Sequence, residues 1–163
     1  MFPHEHLISG VIVAGVLFLI YPSIGFLGVL LIVLSTVLVD VDHYIYYAIK
    51  KKDLSLVNAY RWYQNNRRRT HHLSKKEKSK IFFGFHFLHG VEIFAIIYLL
   101  YAYVSPIFIY IMIGYSLHFF ADLLVEAIWC GKTDKISVIY SFIRMNKLKF
   151  VDDLDFPESI IKV

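Results

Sequence analysis

Residues Leu7 to Val39 read LISGVIVAGVLFLIYPSIGFLGVLLIVLSTVLV, 33 residues without a charge or a histidine. A helix rises about 1.5 Å per residue, and a bilayer's hydrocarbon core is about 30 Å thick. One helix of this length would overshoot an untilted span. The stretch carries its own break, YPSIG at Tyr21–Gly25, where proline removes a backbone donor and biases the preceding residue out of helix. The expectation is two helices, roughly Glu5–Tyr21 and Ser23–Lys50, forming a hairpin.

Working outward, two further apolar stretches follow, Ile81–Val104 and Pro106–Trp129, separated by VSP at Val104–Pro106. The chain is 58% hydrophobic, with mean hydropathy +0.58, above the apolar share of an ordinary soluble domain. The fold class expected is all-α: an integral membrane helical bundle with about four membrane helices and a basic cytoplasmic loop. A soluble helical protein with an oversized core fits uncharged runs of this length poorly. The 163 residues form one domain, with a hairpin over 1–49, a basic loop over 50–80, a second hairpin over 81–129 and a polar tail over 130–163. Within the loop, Asp53 or Ser55 is the expected N-cap of a helix carrying Leu56, Tyr60 and Tyr63 at helical spacing. LSKKEKSK at Leu73–Lys80 reads as a solvated connector. In the tail, an amphipathic helix is expected over Lys135–Met145, and regular structure should stop at Pro157. HEH before the first apolar run, with no basic segment, is unlike a cleaved signal peptide. The single cysteine, Cys130, rules out an internal disulfide and a cysteine-based zinc knuckle.

Charge is unevenly spread. The chain is +4 overall, but Lys50–Lys80 holds eleven Lys and Arg against Asp53 and Glu77. Four helices place this loop and both termini on one side, and the positive-inside rule makes that side cytoplasmic. The protein is therefore expected in the cell membrane as a multi-pass protein.

All eight histidines fall toward that same side: His4, His6, His43, His71, His72, His86, His89 and His118. Neither opposite turn has one. Spacing agrees with convergence. HFFADLLVE puts His118, Asp122 and Glu126 at i, i+4 and i+8, one helical stripe, with Glu126 expected at the surface. FHFLHGVE puts His86, His89 and Glu92 at i, i+3 and i+6. DVDH supplies Asp40 and His43 at i and i+3, with Asp42 turned away from Asp40. Each residue alone has a bland explanation, a packed histidine or a solvated carboxylate. Together, imidazoles and carboxylates from several elements at one depth are the ligands of a polynuclear metal site, as in helical bundles that hold two metals. Ionisable groups within membrane helices are functional candidates by default.

These motifs resemble the membrane-bound metal-dependent hydrolases, relatives of a damage-inducible bacterial inner-membrane protein. The resemblance spans the chain up to about residue 126. It rests on HLISG with His6, DVDH with Asp40, Asp42 and His43, NRRRTH with Arg67, Thr70 and His71, and HFFAD with His118 and Asp122. The chain departs from that pattern at Asn66, where the family has a histidine, and His86 or His89 is available to replace that ligand. The family is distantly similar to zinc-dependent phospholipase C and its relatives among three-zinc nucleases, so the resemblance implies phosphoester hydrolysis.

The expected site is then His6, Asp40, His43, His71, His86, His89, His118 and Asp122 on divalent metal. Zinc is the first choice, as two or three ions, with manganese or iron as alternatives. Bound metal lowers the pKa of water to about 7. Asp40 or Asp42 is the expected general base, and Arg67, Arg68 and Arg69 are the expected clamp on a phosphate. An anionic phospholipid headgroup suits a site at the lipid interface; no specific nucleic-acid partner is expected. Two rival classes remain: a non-enzymatic protein with a structural His/Asp site and a basic lipid- or nucleic-acid-docking loop, and a metal or proton carrier. The carrier is weakened because the outer helix halves offer no ionisable path.

Overall fold

The computed structural model describes residues 2–131, 136–145 and 147–154. It is mostly helical. Helix α1 (Pro3–Ile20) begins with proline at its first position, where the missing N–H leaves no bond unmade. The Glu5 carboxylate reaches back to the Phe2 N–H at 2.7 Å. YPSIG breaks the chain as expected: a 3-10 turn covers Pro22–Ile24, and Gly25 adopts the left-handed φ of +66° that reverses direction. Helix α2 (Gly25–Leu38) returns antiparallel to α1.

Two expected helices are broken. The second is expected as one unit to Lys50, but α2 stops at Leu38 and α3 (Val41–Lys51) starts after Val39–Asp40. Here the Asp40 N–H bonds the Val37 carbonyl at 3.1 Å, three residues back. The third stretch is expected to be helical from Ile81. Instead Ile81–Phe82 form strand β1, and the chain runs irregularly through Gly90. In the basic loop, helix α4 (Leu56–His71) is capped by Ser55, whose hydroxyl accepts from the Asn58 N–H at 3.2 Å. The connector Leu73–Lys80 contains a short helix α5 (Lys75–Lys78), with Ser74 and Glu77 forming a capping box. It is only partly solvated: Lys78 is buried, its ammonium 4.6 Å from the centre of the Trp129 ring.

Helix α6 (Val91–Tyr103) and helix α7 (Phe108–Cys130) complete the bundle. The tail adds α8 (Val138–Met145), within the expected amphipathic helix, whose first residue, Lys135, lies outside the described residues, and strand β2 (Lys149–Phe150), which pairs in parallel with β1. Asp152 then ties the tail down, accepting from Trp62 Nε1 at 3.1 Å and facing Lys51 Nζ at 3.1 Å. Pro157 lies outside the described residues.

Among the described residues, three helical stretches are long and apolar enough to cross a membrane: Pro3–Ile20, Pro22–Lys51 and Phe108–Cys130. The fourth expected span is shorter, because the segment before Val91 leaves the helix. Polarity runs outward to inward in the reverse of a soluble domain. Leu19 and Phe26 are each 80% exposed, whereas His6, Thr36 and Asp42 are fully buried.

Helix α2 sits between α1 and α7, and small residues bring the backbones together. A Cβ on Gly10 would strike the Thr36 side chain, and one on Gly114 would strike Ser35 Oγ and the Ile32 carbonyl. Gly114→Leu should therefore cost about 1–3 kcal/mol, the usual range for overpacking. Gly15 has no such neighbour within 4 Å, so Gly15→Leu should be near neutral. Thermal unfolding in detergent checks this; equal midpoints for both variants would deny the tight crossing.

Candidate metal centre

The stripe on α7 faces inward. His118 and Asp122 are 1% and 3% exposed, and His118 Nε2 lies 3.9 Å from Asp122 Oδ2. From α1, His6 Nε2 reaches Asp122 Oδ1 at 3.2 Å and Asp40 Oδ2 at 4.0 Å. Asp40 Oδ1 lies 3.7 Å from His118 Nε2. A tetrahedral zinc with ligands at about 2.0–2.1 Å needs its ligand atoms roughly 3.3 Å apart. These four residues approach that spacing from three separate elements.

Among the described residues, two more ligand groups extend the first in a chain. Asp40, His43, His89 and Asp122 form one, and Asp42, His43 and His86 the other; within each group the ligand atoms lie within 4.8 Å of one another. Asp40 and Asp122 are shared by the first and second groups, and His43 by the second and third. The two broken helices create this arrangement. The break at Val39–Asp40 turns Asp40 toward α7 while Asp42, two residues on, faces the 83–90 segment. That segment, having left the helix, folds both His86 and His89 inward; they are 6% and 1% exposed. Tyr115 of α7 holds it in place, its hydroxyl accepting from the Gly90 N–H at 3.1 Å.

The hydrogen bonds define tautomers. His118 Nδ1 faces the Thr36 carbonyl at 2.8 Å, and a carbonyl can only accept, so Nδ1 carries the proton. The α2 break makes this possible, because the Asp40 N–H that would take the Thr36 carbonyl in a continuous helix goes to Val37 instead. His89 Nδ1 likewise faces Asp42 Oδ2 at 3.0 Å. With Nδ1 so engaged in each ring, the two Nε2 atoms face each other at 2.9 Å. Asp40 and Asp122 oxygens lie within 4 Å of both nitrogens. Such a concentration of acceptors requires a cation or an added proton. The donor set, imidazole nitrogen and carboxylate oxygen, fits a divalent metal, and the Asp42–His89 and Thr36–His118 contacts are the outer bonds that orient metal-binding histidines. Buried His and Asp groups here could hold a metal ion.

A cavity of about 380 Å³ opens beside these groups, with Asp40, His43, His86 and Asp122 on its polar side. It also contains residues the sequence placed elsewhere. Glu126, expected at the surface, is half-buried and lines the cavity, one turn beyond Asp122. Tyr63 of α4 lines it too. Burial, with the Tyr46 hydroxyl and the Asp42 and Asp40 carboxylates nearby, pushes the Tyr63 phenol far up, so it stays protonated and donates to the His43 carbonyl at 3.0 Å. Asn66 is 4% exposed and lines the same space.

His71 is not brought to the site. It is exposed, edge-on to His72, because the inward face of α4 carries Tyr63, Asn66 and Thr70, and His71 lies about 100° round from Thr70. The arginines also separate. Arg67 lines the cavity, its guanidinium 4.9 Å from the Phe2 ring centre, whereas Arg68 is exposed and Arg69 donates to the Leu154 carbonyl at 3.5 Å. The expected three-arginine clamp is thus reduced to Arg67. Asp42 does not line the cavity; its Oδ2 accepts from the Leu88 N–H at 2.8 Å as well as facing His89, an orienting position rather than that of a general base. His71→Ala should accordingly leave bound metal unchanged, as elemental analysis of the purified variant would show; a lost ion would return His71 to the ligand set.

No protein-family model, curated protein or solved structure matches the chain.

Proposed function

We propose that this protein is a multi-pass membrane hydrolase that uses two or three divalent ions, zinc first among them, to cleave a phosphoester such as a phospholipid headgroup. The observation that carries the reading is the overlap of three ligand groups around shared Asp40, His43 and Asp122, beside a cavity that these same residues line. Structural zinc sites are closed by four protein ligands, whereas catalytic sites keep a position open. Access from the cavity favours catalysis over a purely structural site. The resemblance of HLISG, DVDH and HFFAD to the membrane-bound metal-dependent hydrolases points the same way. The Lys50–Lys80 charge belongs to the same end of the bundle, and the positive-inside rule would set that end in the cytoplasm.

Ions held there would acidify water and polarise phosphoryl oxygens. The chain's own groups supply the rest. Asp40 and Asp122 hold negative charge between facing histidines. The Glu126 carboxylate, on the cavity wall one turn from Asp122, is placed to accept a proton from the attacking water. Arg67 at the wall offers a guanidinium to a phosphate oxygen.

The test uses full-length protein in phospholipid nanodiscs with zinc or manganese. Release of a phosphorylated headgroup, or cleavage of a chromogenic phosphodiester, should depend on metal and disappear in Asp122→Ala. Stoichiometric metal with no phosphoester cleaved would favour the structural-site reading instead.

A further inference from the structure

The cavity has both polar and apolar lining, and one buried group on it lacks a partner. Asn66 is 4% exposed, and its Nδ2 has no hydrogen-bond partner among the described residues. A buried amide left unmatched is costly and persists where a ligand completes it. Beside the Asp and His groups, the lining includes apolar Phe83, Val125 and Trp129. At the rim stand Leu56 and Tyr60, 67% and 41% exposed although both line the cavity. Beyond them the surface stays apolar: Leu54 is 78% and Val57 58% exposed. A ligand that is wholly polar would leave the apolar wall and the apolar rim unused.

We propose that the cavity is a slot for an amphiphile, a phosphoester with an alkyl tail that enters from the lipid over Leu56 and Tyr60. Its phosphoryl oxygen accepts from the Asn66 amide, turned so that Nδ2 meets the cavity, and its tail lies along Val125 and Trp129. The proposal rests on the hydrolase reading for one point. Asp40, Asp122 and Glu126 all line the cavity, so an anionic head is admitted only with the metal charge in place. A volume of about 380 Å³ is at the small end for ligand sites, which suits one tail better than two.

The probe is 12-bromododecylphosphonate, whose bromine quenches tryptophan, added to zinc-loaded full-length protein in nanodiscs. Unbrominated dodecylphosphonate, methylphosphonate and inorganic phosphate serve as competitors, and the metal content of each sample is measured alongside. Dodecylphosphonate should displace the probe at a concentration at least about tenfold below either short competitor. Asn66→Leu, which keeps size and removes the donor, should weaken dodecylphosphonate by about tenfold with metal content unchanged. Val125→Trp, which fills the apolar wall, should weaken dodecylphosphonate and spare methylphosphonate. Partition of the tail into the bilayer is common to all variants, so the variant differences report the slot. Metal-loaded protein whose competition is unaffected by both substitutions would overturn the slot and leave the hydrolase reading standing. A short competitor as strong as dodecylphosphonate would reassign the site to free phosphate. Protein with neither metal nor probe binding would sink both.

Discussion

Asp40→Ala should strip the protein of most of its metal, lowering affinity by at least about a hundredfold. That exceeds the roughly 10–100-fold typical of losing an outer-sphere partner. Asp40 belongs to two of the three ligand groups, so its removal damages two sites, not one. The variant should still fold, because it relieves an acceptor crowd in which Asp40 lies within 4 Å of His6, His43, His89 and His118. Zinc should raise the unfolding midpoint of the natural protein by mass action and leave that of Asp40→Ala almost unmoved. Asp53→Ala is the matched control. Its carboxylate takes the Tyr47 hydroxyl at 2.6 Å and the Ser55 N–H at 2.9 Å, away from the site, so metal content should be retained. Equal zinc binding by Asp40→Ala and the natural protein would remove Asp40 from the centre.

Asp42→Asn should lower zinc affinity by about 10–100-fold at the group that holds His89, and by more at the Asp42–His43–His86 group, where Asp42 is itself a candidate ligand. The carboxylate fixes the His89 ring by accepting from Nδ1, and its charge makes Nε2 a stronger donor to metal. An amide can keep the shape and one acceptor but not the charge. It also leaves His43 and His86 without the anion they face at 3.4 and 3.8 Å. Chelator competition gives the dissociation constants. Unchanged affinity would reduce Asp42 to a brace for the Leu88 backbone.

How much of this was legible in the sequence varied with the local signal. The hairpin turn was readable because proline and glycine stand together in YPSIG. The His118–Asp122 stripe was readable because α7 is long and regular, so spacing alone fixes a face. Extending the same stripe reaches Glu126, and the cavity position was there to be read; its nearness to the helix end made solvent the simpler choice. The break at Val39–Asp40 carries no proline or glycine, and only tertiary packing against α7 and the 83–90 segment shows it. His86 and His89 are expected at the start of a helix but lie on the irregular segment before it. The glycines at 84 and 90 bracketing FHFLH were the available sign that the helix starts later. His71 was misplaced because adjacent histidines carry no phase of their own. Continuing the Leu56–Tyr60–Tyr63 face of α4 leads to Asn66 and Thr70, and so away from His71. Convergence of His6, Asp40, His118 and Asp122 was expected from their common depth, and the geometry brings them together.

The most direct test is the metal content of untagged, full-length protein purified in detergent without chelator, measured per chain by elemental analysis. Three ligand groups linked through Asp40, His43 and Asp122 predict two or three divalent transition ions per chain, with the ions of the two groups that contain Asp40 lost when Asp40 is removed. Protein that is folded, monodisperse and free of any stoichiometric transition metal, and that takes up none from added zinc or manganese, would contradict the account.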